Sequence, residues 1–370
     1  MKLKSYKKIL SQILIGIIIL ILILIPVYTQ AISAQSAIVM EVQTGRILYA
    51  RNIYNKLPMA STTKIMTALV ALEKGNIKSI VKVPREAVGV EGSSIYLRYN
   101  EQISLEDLLY GLMLRSGNDA AVAIAYHISG SVEDFVKLMN KRAKEIGAKN
   151  THFKNPHGLH DDNHYTTAYD LALITRTALL NDKFKEIVST KKWVAKRDGY
   201  NLFYNKNKTL SQFKGGDGVK IGYTRAAGRC LVSSATRNGM QLISVVLNDY
   251  NWFDDCHRLM EAAFNTYKPY EVLYKDKPIK SFNINKGQKK KSYLVSKKNI
   301  TIPVSEREKE KVFTVFESNE VYNAPIKKDE VLGKAKIYVG DELIATTELI
   351  AKESVKKQSF MDYIIDIFDR

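Results

Sequence analysis

The sequence predicts an α+β fold: one antiparallel sheet carrying a helical cluster, followed by a small all-β domain. Three observations predict it. Strand patterns stand at both ends of residues 35–268, with helical periodicity between them. After Pro269 short apolar runs separated by turn residues take over, with no helical period. The chain also has 370 residues, 45% hydrophobic and 25% charged, enough apolar material for a sizeable core and more than one domain.

Taken in order, Ala37–Met40 and Ile47–Tyr49 flank the turn Gln43-Thr44-Gly45 and read as a hairpin. A helix that Gly75 ends follows from Ser61. Ser104-Leu105-Glu106-Asp107 has the form of a capping box, and Leu105, Leu108, Leu109 and Leu112 repeat with helical spacing. Gly117 is expected to break this helix, and Asn118 or Asp119 to cap an Ala-rich successor ending near Gly130. Ser131 starts another, with Val132, Phe135, Val136 and Met139 as its apolar stripe. Gly218–Tyr223 reads as a strand. Arg229–Arg237 and Met240–Leu247 pair across Asn238-Gly239, a strong two-residue hairpin signal. A helix from about Phe253 to Tyr267 completes this part, and the small β domain spans about 275–350.

The ends of the chain speak about location. Lys2, Lys4, Lys7 and Lys8 precede an apolar stretch from Ile9 to Val27, and small residues follow at Thr29, Ala31, Ser33 and Ala34. Residues 1–34 are therefore an export address, a signal peptide or an N-terminal anchor, and the rest of the chain is expected outside the cytoplasm. In residues 356–370, Phe360, Tyr363, Ile364, Ile367 and Phe368 share one helical face, the pattern of an amphipathic helix at a membrane interface or packed on the protein's own body.

The formal charge of +18 suits an anionic partner, but export argues against nucleic acid. The lysines are scattered along the chain, so solvated faces account for most of the surplus; the densest run is Lys286, Lys289, Lys290, Lys291, Lys297 and Lys298. Two cysteines, Cys230 and Cys256, make neither a disulfide framework nor a four-ligand zinc site, and their pairing is left open. No metal or cofactor is expected.

Three short segments carry chemistry. In Ser61-Thr62-Thr63-Lys64, residues three apart on a helix are neighbours, so Lys64 can take the proton that makes the Ser61 hydroxyl a nucleophile. This requires a depressed lysine pKa, through burial or a nearby cation. Ser116-Gly117-Asn118 lies at the break between two helices, where a hydroxyl could relay a proton and an amide could hold a substrate carbonyl and Lys64. In Lys220-Ile221-Gly222-Tyr223, Lys220 could bind an anionic terminus and help depress Lys64, while Gly222 lets a substrate backbone approach the strand. Singly, each has an ordinary reading: an N-cap serine, an interhelical connector, an edge-strand lysine. Their order and settings together match a known three-motif set.

With these motifs in view, the chain resembles the low-molecular-mass penicillin-binding proteins of the D-alanyl-D-alanine carboxypeptidase family. The likeness runs from about Ala37 to Ile350 and includes Met59–Thr67, Gly111–Leu114, Asn155-Pro156-His157-Gly158-Leu159 and Thr166–Leu171. It implies a β-lactamase/transpeptidase-like catalytic domain and a serine peptidase that trims the terminal D-alanine from peptidoglycan stem peptides, at the extracytoplasmic membrane face or wall. It implies Ser61 as nucleophile, Lys64 as base and Ser116 as proton relay. Asn118, Lys220, Gly222 and Tyr223 would bind substrate, with the backbone N–H groups of Ser61 and Tyr223 forming the oxyanion hole. β-Lactams would acylate Ser61. Two departures stand out: Ile221 replaces the family's hydroxyl residue, and Tyr250-Asn251-Trp252-Phe253 lacks the arginine many relatives carry there. The rival readings are a β-lactamase, for which only Asp161 and Asp162 stand near the expected water-activating position, and a catalytically weak wall or penicillin binder.

Overall fold

The structure is a computed structural model describing residues 32–359. Most of the expected export segment and the apolar face of the expected tail helix lie outside the described residues. Every element below belongs to a compact unit that begins at Ala34. No helix among the described residues is long and apolar enough to cross a membrane.

The first sheet is antiparallel. Strands β1 (Ser36–Glu41) and β2 (Ile47–Arg51) form the expected hairpin. Strands β3 (Gly216–Thr224), β4 (Gly228–Arg237) and β5 (Met240–Leu247) give the order β2-β1-β5-β4-β3. Asn238 and Gly239 both have positive φ (50° and 79°), as a two-residue hairpin turn of the primed type demands, and they set Arg237 opposite Met240. Strand β1 is buried along its whole length beside β5, so the two ends of this part of the chain close one sheet, as the sequence predicts. Strand β3 is left at an edge.

Helices cover the sheet on both faces. Helix α7 (Trp252–Thr266) packs on β4 and β5, and α5 (Ala168–Leu179) on β1 and β5. At the centre of the helical cluster is α1 (Lys64–Lys74), touched by α3 (Asn118–Ser129), α4 (Val132–Ile146), α5 and α6 (Asp182–Ser189). Ile65, Met66, Ala68, Leu69 and Val70 of α1 are all buried, on every side of the helix. A helix apolar all round is a core helix, and its first residue, Lys64, is carried into the interior with it.

The turn before α3 differs from expectation. Helix α2 (Leu105–Tyr110) runs into a π-helical turn, Gly111–Arg115, and reverses at Ser116, whose φ is +66°, while Gly117 has φ −58°. The left-handed residue is thus the serine. Gly117 is small for packing: a Cβ there would meet Asp119 Oδ1 at 2.8 Å. Single π turns inside helices concentrate at functional sites.

Beyond α7 the chain is built of strands. Strand β6 (Tyr267–Leu273) pairs with β9 (Ile300–Ser305). A six-stranded sheet follows: β10 (Val312–Ser318), β12 (Val331–Val339), β13 (Glu342–Ala351), β8 (Lys291–Ser296), β7 (Pro278–Asn285) and β11 (Val321–Asn323), in that spatial order. Phe282, Leu294, Ile302, Ile337 and Leu349 fill its core. Arg46, in the β1–β2 turn, ties this part to the first sheet. It donates to Pro303 O (2.6 Å), Glu308 (2.7 Å) and Glu342 (3.2 Å), and lies over the Tyr267 ring. Glu308 also closes a capping box with Ser305, so one carboxylate serves the cap and the contact.

Candidate active site

Ser61 sits in a 3₁₀ turn, Ala60–Thr63, that leads directly into α1. The Ser-x-x-Lys spacing therefore crosses from a tight turn to the first α-helical residue. The turn is strained: Ala60 has φ +47°, which a residue with a Cβ avoids. Its neighbours hold it there. Thr63 donates to Ala60 O at 2.8 Å and its hydroxyl lies 2.7 Å from His164 Nε2; Thr62 donates to Met59 O at 2.6 Å.

Two glycines let the turn come close. A Cβ on Gly158 would lie 1.9 Å from Ala60 O, and one on Gly222 would lie 2.9 Å from Ser61 N. Gly222 thus admits the turn that carries Ser61 against the strand edge.

The side chain of Lys64 is wholly buried. Its Nζ lies 3.1 Å from Ser61 Oγ, 2.6 Å from Asn118 Oδ1 and 2.6 Å from the carbonyl oxygen of His157. Burial holds its pKa well below the lysine range. The charges of Lys220 and Lys206 lower it further, and Asp119 opposes them. A neutral amine has two N–H donors and one lone pair. Two carbonyl oxygens take both donors, so the lone pair is left for the Ser61 hydroxyl.

Asn118 is fixed for this task. Its Nδ2 donates to Glu91 O at 2.5 Å, which turns Oδ1 toward Lys64, and its backbone N–H donates to Ser93 O at 2.7 Å. Asp119, also buried, holds the covering loop by accepting from Ser94 Oγ and the backbone N–H groups of Ile95 and Leu97. Ser116 is buried two residues from Asn118, and its hydroxyl makes no hydrogen bond to another described residue. The site thus brings Ser61, Lys64 and Asn118 into direct contact, with Ser116 beside Asn118 but unbonded.

Lys220 is buried on β3 and donates to Ile221 O at 2.9 Å. Burial, then Lys206, pushes its pKa down to about 7. Tyr223 is exposed and borders a cavity of about 610 Å³, shared with Arg229, Asn248, Asp249, Tyr250 and Trp252. Arg229 donates to Tyr250 O at 2.8 Å, so an arginine does stand beside the Tyr250–Phe253 segment, supplied by β4. Both cysteines are free and buried, and no cluster of possible metal ligands occurs among the described residues.

Sequence reasoning assigned no role to two contributors. The loop Asn155–Leu159 enters through backbone: His157 supplies a carbonyl, and the Asn155 side chain shapes the loop by accepting from Gly158 N (2.7 Å) and donating to Leu159 O (2.9 Å). Burial pushes the His157 ring down to about 3, so it stays neutral. Lys206 is the second, an exposed lysine in a polar loop with no motif around it, whose charge helps lower both Lys64 and Lys220.

Comparison with known proteins agrees with this architecture. Residues 25–251 match the D-alanyl-D-alanine carboxypeptidase family, and residues 267–357 match the penicillin-binding protein 5 C-terminal domain. The chain is 34% identical to D-alanyl-D-alanine carboxypeptidase DacF of Bacillus subtilis over 97% of each chain. It is 33% identical to DacC of Escherichia coli, covering 91% of this chain and 88% of the other. Among solved structures, penicillin binding protein 5 of Haemophilus influenzae superposes with a TM-score of 0.74 at 32% identity, over 88% of this chain and 98% of that one. With a family match over well over half its length and relatives of this identity, the chain belongs to the D-alanyl-D-alanine carboxypeptidase family.

Proposed function

We propose that this carboxypeptidase removes the terminal D-alanine of peptidoglycan stem peptides through an acyl-enzyme on Ser61, outside the cytoplasm. The observation that carries the reading is the environment of Lys64: a buried amine whose two N–H groups are occupied and whose lone pair is left for Ser61 Oγ. Ser61 Oγ attacks the carbonyl between the last two D-alanines as Lys64 accepts its proton. The negative oxygen is held by the N–H groups of Ser61 and Tyr223, a device worth roughly 3 kcal/mol per donor. Ser116 passes the proton to the leaving amine. Lys220 binds the departing residue's carboxylate, Gly222 keeps the strand edge open, and Asn118 orients substrate and base. Water then releases the shortened peptide. A β-lactam takes the same route and stays on Ser61.

The test is release of free D-alanine from a diacyl-Lys-D-Ala-D-Ala peptide by the purified protein. Release above a Ser61→Ala control is the expected result. Penicillin labelling of Ser61 without any such release would leave the weak-binder reading standing. Of the two carboxylates the β-lactamase reading relies on, Asp162 has its side chain 97% exposed to solvent, and Asp161 accepts from Asn163 N of its own turn at 2.8 Å.

Ile221 supplies a further prediction. It is half-buried on β3 beside Lys220 and offers no hydroxyl to the substrate carboxylate. Ile221→Thr should raise kcat/KM for the peptide about fivefold, the worth of one hydrogen bond of about 1 kcal/mol. An unchanged or lower kcat/KM would mean that the carboxylate does not lie against this position.

A further inference from the structure

His164, behind the turn that carries Ser61, is held in one tautomer. The ring is buried. Its Nδ1 accepts from the backbone N–H of Lys154 at 3.0 Å, so the ring proton stands on Nε2. Burial pushes its pKa down to about 4, which keeps the ring neutral at working pH. Phe153 packs edge-on to it, with ring centroids 5.8 Å apart, and the backbone N–H of His164 donates to Asp161 O at 2.9 Å.

With Nε2 as donor, the 2.7 Å contact to Thr63 Oγ1 runs from ring to hydroxyl. Thr63 has one hydroxyl proton and gives it to Ala60 O at 2.8 Å. Three hydrogen bonds therefore point the same way, from Lys154 N–H through His164 and Thr63 to a single carbonyl.

That carbonyl shares a peptide unit with Ser61 N–H. The unit is planar and trans, so its oxygen and its N–H point in opposite directions. Holding the oxygen aims the N–H. The hold is needed, because Ala60 has φ +47° and such a backbone persists only where its surroundings enforce it. A hydrogen bond accepted by the oxygen also polarises the unit and makes its N–H a stronger donor. On the other side the unit meets β3 at Gly222, where a Cβ would lie 2.9 Å from Ser61 N.

We infer that Thr63 and His164 are positioning residues of the oxyanion hole, setting the direction and donor strength of Ser61 N–H through the far end of its own peptide. The proposed mechanism assigns that N–H to the negative oxygen, so the inference rests on that reading. The relay should serve the transition state far more than substrate binding, because the negative charge develops only there.

The experiment compares acylation of Ser61 by a depsipeptide ester ending in D-alanyl-D-lactate and by its thiono counterpart, in which sulfur replaces the attacked carbonyl oxygen. Sulfur accepts hydrogen bonds weakly, so the thiono ester draws little on the N–H. The unaltered protein should prefer the oxygen ester. Thr63→Val keeps the side chain's shape and loses its hydrogen bonds. It should slow the oxygen ester about tenfold, short of the roughly hundredfold cost of losing a whole oxyanion donor, and slow the thiono ester less than about threefold. Thr63→Ser should restore the oxygen-ester rate. His164→Ala frees the Thr63 hydroxyl to turn away and should lower the same ratio about threefold. Nitrogen NMR of the unaltered protein, which depends on no variant folding, should show His164 as the neutral Nε2–H tautomer. A proton on Nδ1 would overturn the inference. So would equal slowing of both esters in Thr63→Val, because the pair would then place the nucleophile or support the fold and nothing more. A preference kept whole in Thr63→Val sinks this inference and leaves the oxyanion reading standing, whereas an unaltered protein that shows no preference sinks both.

Discussion

Lys64→Ala should slow acylation of Ser61 by a fluorescent penicillin about a thousandfold, within the range by which a positioned general base accelerates a reaction. The buried amine lies 3.1 Å from Ser61 Oγ, and no other titratable side chain is hydrogen-bonded to that oxygen among the described residues. Stopped-flow acylation rates measure the loss. A decrease of less than about tenfold would remove Lys64 from the base role and return it to a structural one.

The pH profile follows from the same environment. Only the neutral amine can accept the proton, so acylation should fall as pH drops through the depressed pKa of Lys64. Lys206 is one of the cations that hold that pKa down. Lys206→Ala removes a charge that disfavours protonation, so the pKa of Lys64 rises and the acid limb moves to higher pH. A limb that stays in place, or moves to lower pH, would show that Lys206 is screened from the site. Lys220 is lowered by the same cation, so the variant should also keep Lys220 charged to higher pH and extend the binding of carboxylate-bearing peptides upward.

How far the site was legible depends on which atoms do the work. In the proposed mechanism Ser61, Lys64, Asn118 and Lys220 act through side chains, whose types and order stand in the sequence. The His157 carbonyl that fixes one proton of Lys64 could come from any residue, so nothing in its identity announces it. Glycine is the usual left-handed residue, so the sequence points to Gly117 for the reversal before α3. The structure puts it on Ser116, where the packing of Asp119 and the π turn decide the backbone.

The sheet was readable because Asn238-Gly239 leaves one register open and the strand runs on either side are long.

Gly158→Ala should disable the enzyme from a position that carries no chemistry. Gly158 has φ +94°, and a Cβ there would sit 1.9 Å from Ala60 O, 2.4 Å from Ala60 C and 2.9 Å from Thr63 Oγ1. Two of those atoms are backbone and cannot swing aside, so the Ala60 peptide must move and carry Ser61 with it. A displacement of about 1 Å at reacting atoms can cost about a hundredfold in rate. Acylation should therefore fall at least that far, with an additional stability loss of roughly 2–4 kcal/mol from the positive φ and the clash. Gly147→Ala separates the two causes. Gly147 has φ +92° but open space around it, so its alanine variant bears the backbone cost alone, about 1 kcal/mol. Thermal melts and acylation rates of the pair decide the matter. Gly147→Ala should melt slightly lower and acylate normally, whereas Gly158→Ala should lose both. If Gly158→Ala acylated at the normal rate while melting lower, the strained turn at Ala60 would not be what sets the position of Ser61, and the 155–159 loop would be a scaffold for the fold alone.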